Sequence, residues 1–280
     1  MFVTLASAQA PRVHTTVVAD RREPYPGIAI VGVHAPALVA AVRPGQFVMA
    51  VPPTGVLAAT ALGVYEAQGQ RASIMVVSAG PRTSELASLE TGDALELLGP
   101  LGNGFFLDDP HLPRSVAIVA GGVGLASVLL AAQRCVRAGA STTLYYGART
   151  AQALVDAELF ARAGCELALA TDDGSTGHHG FVTDLLRTRP LPALILACGP
   201  SAMLRAVAAL ANERAIPAQL SLEETFGCGV GACWGCVVPL ARSSAQAPHF
   251  PPASPNEPRP FAHARICKEG PVFWASELMW

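Results

Sequence analysis

Charge is scarce in this chain: Asp, Glu, Lys and Arg together make up 14% of its 280 residues, against about a quarter in an ordinary soluble domain. An excess of cations is missing too. With 19 Lys+Arg against 21 Asp+Glu, the chain has no surface built to grip nucleic acid, because phosphate binding needs clustered positive charge. A basic leader is absent: Met1–Ala10 ends in the small residues SAQA but carries no Lys or Arg, so a cytoplasmic location is expected rather than export. No long apolar span stands out either. One uncharged run, Ser115–Gln133, has 19 residues and is broken by Gly121, Gly122 and Gly124. A buried strand, a glycine turn and a helix account for it better than a membrane crossing. What is abundant is hydrophobic residues, at 51%. The chain can bury a sizeable core and is not disordered, and its sparse charge points to a face covered by a partner.

The length suggests two or three compact units. Short β-branched runs separated by Gly and Pro (Val13–Asp20, Gly27–Val33, Gln46–Ala50, Ser73–Val77 and Ala94–Leu98) predict a β-barrel or sandwich. One helical pattern, Thr83–Leu89, interrupts them. From Arg114 the rhythm changes. Predicted strands at Val116–Ala120, Thr143–Tyr146, Glu166–Ala170, Ala193–Ala197 and Ala218–Leu222 alternate with helical stretches near Leu125–Ala138, Ala151–Ala163, Gly180–Arg187 and Ser201–Glu213. Near-continuous apolar strands in such alternation indicate a doubly wound α/β sheet covered on both faces. The alternation stops after Leu222, and Arg242–Ala264 is proline-rich and expected to be an extended excursion. No internal repeat is present.

The chain has seven cysteines, an odd number, and four of them fall in the last 53 residues. That favours a local constellation over a disulfide framework. Cys228, Cys233 and Cys236 form C-x4-C-x2-C, and Cys267 follows later. This is the plant-type ferredoxin spacing, in which four thiolates hold one [2Fe–2S] cluster. Glycines at 227, 229, 231 and 235 let the loop fold around two irons, and their N–H groups can reach the sulfurs. A zinc site is the weaker alternative, since zinc usually takes paired C-x2-C spacing, often with His. Of the other cysteines, Cys135 and Cys165 fit a core role. Cys198 instead ends a strand in ACGP, at the carboxyl edge where such sheets bind ligands.

The same edge collects three loops. Gly121-Gly122-Val123-Gly124 closes the first α/β strand and opens a helix, so that backbone can approach a pyrophosphate. Thr171–Ser175 follows the third strand, where Asp172 or Asp173 could accept from a ribose hydroxyl, and Cys198-Gly199-Pro200 follows the fourth. A dinucleotide is therefore expected at Gly121, Gly122, Gly124, Asp172, Cys198 and Gly199. His178 and His179 are expected to be exposed, and Phe226 to be a core aromatic or a shield beside the cysteine loop.

Seven stretches carry a family resemblance: RPGQFVM (Arg43–Met49), GDALELLGPLGNGF (Gly92–Phe105), AGGVGLAS (Ala120–Ser127), TDDGSTGHHGFVTDLL (Thr171–Leu186), ACGPSAML (Ala197–Leu204), SLEETFGCGVGACWGCVVP (Ser221–Pro239) and RICKEGPVF (Arg265–Phe273). In this order they resemble the electron-transfer subunit of type B, NAD-linked dihydroorotate dehydrogenase, within the ferredoxin reductase superfamily. The resemblance implies an FAD-binding-type β-barrel over residues 1–110, a Rossmann-like NAD-binding domain over 111–221 and a small C-terminal [2Fe–2S] domain over 222–280. It also implies a dihydroorotate dehydrogenase catalytic subunit as partner, in a heterotetramer of two plus two chains, from which electrons pass through the cluster and FAD to NAD+. A flavin has to stand between, because it exchanges single electrons with a cluster and hydride with nicotinamide. The family's flavin barrel carries an Arg-Pro-x-Ser type segment, and here Thr60, Ala61 and Gly63 fall at its Arg, Pro and hydroxyl positions. Two readings stay open. FAD is held with help from Arg82, Thr83 and the loop Gly102, Asn103 and Gly104, or the barrel has lost FAD and the chain is a flavin-free iron–sulfur accessory subunit. An NAD(P)H:acceptor reductase subunit of another redox complex shares the same modules. Ser127 stands where relatives often have Pro.

Overall fold

The N-terminal strands curl into a closed barrel whose β2, β3 and β5 are buried along most of their length. The computed structural model describes residues 10–54, 58–107, 112–241, 243–244 and 261–280. Strands β1 (Arg12–Tyr25), β2 (Ile28–His34), β3 (Phe47–Val51), β4 (Thr60–Gln68), β5 (Arg71–Val77) and β6 (Ala94–Leu101) pair antiparallel in the order β1-β2-β5-β4-β3-β6. Closure leaves the barrel without a free edge. Helix α1 (Pro36–Ala41) enters before β3, and α2 (Pro81–Ala87) before β6. The interior is aliphatic, with Val31, Val33, Val48, Ala50, Ile74 and Leu97 among its buried side chains.

The second half is a three-layer α/β unit. Its elements are β7 (Ser115–Gly121), α3 (Leu125–Arg137), β8 (Ser141–Ala148), α4 (Ala157–Arg162), β9 (Glu166–Thr171), β10 (His178–His179), α5 (Val182–Thr188), β11 (Leu194–Cys198), α6 (Ser201–Glu213) and β12 (Ala218–Ser221). The sheet order is β10-β9-β8-β7-β11-β12. β7 therefore has its successors on one side and β11 on the other, so the strand order reverses between β7 and β11. That reversal is where open α/β sheets bind ligands. The uncharged run that began at Ser115 is explained by position. β7 is buried beyond its first residue, and α3 is wedged between the two halves. Leu130 reaches the barrel core, while Leu125, Val128, Leu129 and Ala132 join the α/β core.

After Ser221 the chain forms a small ribbon and then rejoins the large sheet. β13 (Val237–Ala241) and β14 (Phe261–Arg265) form a two-stranded antiparallel ribbon, so the end of the expected 242–264 excursion is a strand. Most of that excursion lies outside the described residues. β15 (Val272–Trp274) then returns to the large sheet as an antiparallel edge strand on β12. The stretch expected as one helix over Ala151–Ala163 is also split, with a 3-10 turn at Ala151–Ala153 and α4 beginning only at Ala157.

Asp156 supplies the reason for that split. Its backbone is left-handed at φ 55°, which aims a buried carboxylate at the barrel. Arg22 of β1 donates to both of its oxygens, at 2.8 and 2.5 Å, and the buried Tyr65 hydroxyl of β4 donates at 2.7 Å. Three elements from both halves thus meet on one carboxylate. Asp156→Ala is expected to cost about 1–3 kcal/mol through the orphaned Tyr65 hydroxyl. The half-exposed Arg22 regains water and adds little. Chemical denaturation checks this, and the cost should largely vanish in a Tyr65→Phe background.

Candidate redox site

Glycine allows the two loops at the strand-order reversal to touch through their backbones. A Cβ on Gly124 would lie 2.6 Å from the Cys198 carbonyl carbon and 2.7 Å from Gly199 Cα. Gly121 likewise lies under Pro200 and Met203, 2.7 Å and 2.8 Å from where its Cβ would be. Gly122 is left-handed at φ 52° and faces open space, which leaves room for a ligand against its backbone. The structure thus brings Gly121, Gly122, Gly124, Cys198 and Gly199 together. Asp172 sits at the same edge but two strands out, at the end of β9, exposed. Asp173 is spent locally, accepting from Ser175 N at 2.9 Å and Ser175 Oγ at 2.6 Å. Those bonds hold its carboxyl below the usual range.

Sequence reasoning missed Glu223. It lies just beyond β12 and accepts from the Cys198 thiol at 3.4 Å. Solvent reaches the residue, but protein crowds its carboxyl group, and that desolvation raises its pKa. Cys198 is fully buried, and burial, then the Glu223 charge, pushes its thiol well up. The available signal was positional: a carboxylate directly after a parallel strand, at the edge where ligands bind.

On the barrel side stands β4, with Gly63 packed against Ser127 of α3. Its Thr60, Ala61 and Gly63 pair with Ala50, Met49 and Phe47 of β3. Thr60 Oγ1 is buried with no hydrogen-bond partner, a loss of about 1–3 kcal/mol. In the protein without bound cofactor, Thr60→Val is expected to raise the melting midpoint by a few degrees. A fall would mean that the hydroxyl is satisfied. Of the other flavin candidates, Thr83 Oγ1 is taken up in its own turn, accepting from Ala79 N at 3.0 Å and Gly80 N at 3.2 Å. Asn103 is likewise engaged. It donates to Glu269 O at 2.6 Å and Val272 O at 3.1 Å, while Gly102 packs on Gly270 O and Pro271. The loop 102–104 is therefore a seam to the C-terminal segment, with its side-chain amide already committed. Arg82 has no ion-pair partner among the described residues.

The cysteines come together as two pairs. Cys233 N donates to Cys228 Sγ at 3.4 Å and Cys267 N to Cys236 Sγ at 3.5 Å, and Cys228 is close enough to Cys267 to raise its thiol electrostatically. The Cys233 amide, then those of Val230 and Ala232, draw Cys228 down to about 6. Burial pushes Cys267 up to about 12. The first pair is near the surface and the second is buried. Among the described residues no three His, Cys, Asp or Glu side chains converge to hold a single metal ion. Arg265 braces the loop, donating to Gly231 O at 2.7 Å and lying 4.7 Å over the Trp234 ring. The loop rests on the barrel: a Cβ on Gly229 would lie 2.6 Å from Met49 Cγ, and the Phe226 and Phe47 rings are 5.1 Å apart. Phe226 is thus a buried aromatic at the junction of loop and barrel.

Known proteins share this arrangement. The model of the oxidoreductase NAD-binding domain matches residues 118–209. The chain is 38% identical over 213 residues to the electron transfer subunit of dihydroorotate dehydrogenase B (NAD(+)) from Geobacillus kaustophilus, covering 76% of this chain and 75% of that one. The corresponding subunit of Clostridium acetobutylicum is 32% identical over 243 residues, 85% of this chain and 87% of that one. The chain belongs to this family of electron transfer subunits. A solved structure of an NADH-dependent reduced ferredoxin-NADP oxidoreductase, titled for flavin-based electron bifurcation, superposes with a TM-score of 0.79 at 26% identity. The match spans 95% of this chain and 90% of that one. Membership makes the chain an electron transfer subunit of an oxidoreductase. Among the described residues no helix is long and apolar enough to cross a membrane.

Proposed function

We propose that this chain carries a [2Fe–2S] cluster on Cys228, Cys233, Cys236 and Cys267 and a flavin, FAD, in the cleft between β4 and the α/β edge. In this reading it passes electrons from a dihydroorotate-oxidising catalytic chain to NAD+. The observation that carries the proposal is the seating of the cysteine loop on the barrel, with Gly229 against Met49 and Phe226 against Phe47, the β3 residues paired with Ala61 and Gly63. A two-iron cluster needs two thiolates per iron, which suits a paired arrangement better than a single-metal site. Flavin supplies the exchange between single electrons and hydride.

The residues then divide by task. Gly121, Gly122 and Gly124 offer backbone to the NAD pyrophosphate beside Cys198 and Gly199, with Asp172 toward a ribose. Thr60 Oγ1 supplies an unpartnered oxygen to the flavin side, and Arg82 on α2 a cation. Thr83, Gly102, Asn103 and Gly104 contribute backbone and shape. Val230, Trp234 and Val237 are exposed around the surface thiol pair, and they give a catalytic subunit an apolar place to dock close to the metal. A cytoplasmic complex of two such subunits with two catalytic chains is the assembly we infer.

The test is co-purification with the dihydroorotate dehydrogenase catalytic subunit. The two are expected to co-elute and to reduce NAD+ with dihydroorotate. Failure to co-elute, or a catalytic subunit whose acceptor does not change, would reject the pairing.

A further inference from the structure

One peptide group in the cysteine loop is bonded at both ends. The carbonyl of Gly231 accepts from Arg265 Nη1 at 2.7 Å. The amide of the same peptide, Ala232 N, donates to Cys228 Sγ at 3.2 Å, and Cys233 N donates to that sulfur at 3.4 Å. A guanidinium and a sulfur are therefore joined through a single peptide unit. Gly231 permits this with its left-handed backbone, φ 82°. A Cβ there would lie 2.9 Å from Lys268 Cβ.

Arg265 is anchored from behind. Its Nε and Nη2 donate to the Glu269 carboxylate at 3.1 and 2.5 Å, and its backbone N donates to Glu269 Oε2 at 2.7 Å. The guanidinium lies 4.7 Å over the Trp234 ring, and Trp234 is left-handed at φ 59°, which is rare for a bulky residue. Glu269 O in turn accepts from Asn103 Nδ2 of the barrel loop. The side chains of Arg265 and Glu269 are 17% and 15% exposed. In such partly dry surroundings hydrogen bonds are stronger than in water, and bonds in a chain polarise one another.

A cation on a carbonyl oxygen draws electron density along the peptide and makes its N–H a better donor. A sulfur that receives a stronger hydrogen bond tolerates added negative charge, which raises the reduction potential of a cluster it holds. We propose that Arg265 is a positioning residue for the electron-accepting end of this chain: through the Gly231–Ala232 peptide it strengthens the hydrogen bond to Cys228 Sγ, while Glu269 and Trp234 keep its guanidinium on the Gly231 carbonyl. The inference rests on the reading of the four cysteines as cluster ligands.

Potentiometric titration of the iron-loaded full chain, followed by the EPR signal of the cluster, tests it. Arg265→Met is expected to keep about two irons per chain. Its midpoint should fall by on the order of tenfold in the reduction equilibrium, about 59 mV for a one-electron couple. Adding Glu269→Gln removes the opposite charge and restores the net charge. A bare charge effect would then return the potential to the parent value, whereas the peptide route keeps it low. Resonance Raman gives the second readout. The deuterium shift of the iron–thiolate bands, which reports N–H···S bonding, should shrink in both variants and recover in part in Arg265→Lys. An unmoved potential at full iron content, a parent potential in the double variant, or an unchanged deuterium shift would each overturn the role. If Arg265→Met loads no iron, Arg265→Lys decides, and parent values in both readouts would overturn the role. A parent protein that binds no iron would defeat the cluster reading instead, and the tuning with it. The clasp is then read in iron-free protein, from Trp234 emission isolated by difference from Trp234→Phe. Acrylamide should quench that emission more readily in Arg265→Met, and equal quenching would overturn the clasp.

Discussion

Gly124→Ala is expected to weaken NADH binding by at least about tenfold, or about 1.4 kcal/mol, and to lower stability by about 1–3 kcal/mol. The backbone of Gly124 is ordinary, at φ −58°, so strain is not the cause. The added methyl has nowhere to go. It would stand 2.6 Å from a carbonyl carbon of Cys198 and 2.7 Å from Gly199 Cα, and neither atom can rotate aside as a flexible side chain would. The loops after β7 and β11 must separate, and the crevice they form at the strand-order reversal must widen. Gly122→Ala is the informative comparison. Nothing lies within 4 Å of its added Cβ, so it displaces no protein atom, although a left-handed alanine costs about 1–2 kcal/mol. NADH titration and thermal melting of the two variants separate crowding from strain. Equal NADH affinity in Gly124→Ala and the parent would contradict this geometry.

The second large effect is at the buried thiol pair. Cys236→Ser is expected to reduce bound iron from about two per chain to background and to abolish dihydroorotate-dependent NAD+ reduction. NADH–dye reductase activity should largely survive, because the NAD loops lie at the end of the parallel sheet while Cys236 lies in the C-terminal segment, bonded to residues 266 and 267. Cys236 and Cys267 are both almost wholly covered, so a lost ligand there cannot be replaced by water without opening the loop. Iron analysis and the two activities, measured on one preparation, check the outcome. Retention of about two irons would place the cluster elsewhere.

Much of this was legible in the sequence because the signals were local. Apolar strands such as Val116–Ala120 are buried on both faces and show it in composition alone. The cysteine spacing likewise pointed to a local constellation of four, and Cys233 N reaches Cys228 Sγ as Cys267 N reaches Cys236 Sγ. What the sequence hid depends on distant partners. β4 reads weakly as a strand, since Ala61 and Gly63 are poor strand formers, and only pairing with β3 and β5 makes it one. Asp156 looked like a mid-helix residue until its left-handed backbone turned it toward Arg22 and Tyr65. Asn103 sits in a glycine loop suited to a cofactor, yet its amide joins residues 269 and 272, more than 160 positions away. Glu223 has no spacing partner at all. Its neighbour Cys198 comes from the adjacent parallel strand, so the pair exists only once β11 and β12 align.

The central claim is that cluster and flavin occupy one chain despite Thr60, Ala61 and Gly63 on the flavin wall. Iron and flavin quantification with an absorbance spectrum, on protein purified without oxygen and supplied with FAD, tests it most directly. About two irons and one FAD per chain are expected. Two irons with no flavin would contradict it, leaving a cluster-bearing subunit that cannot hand hydride to NAD+.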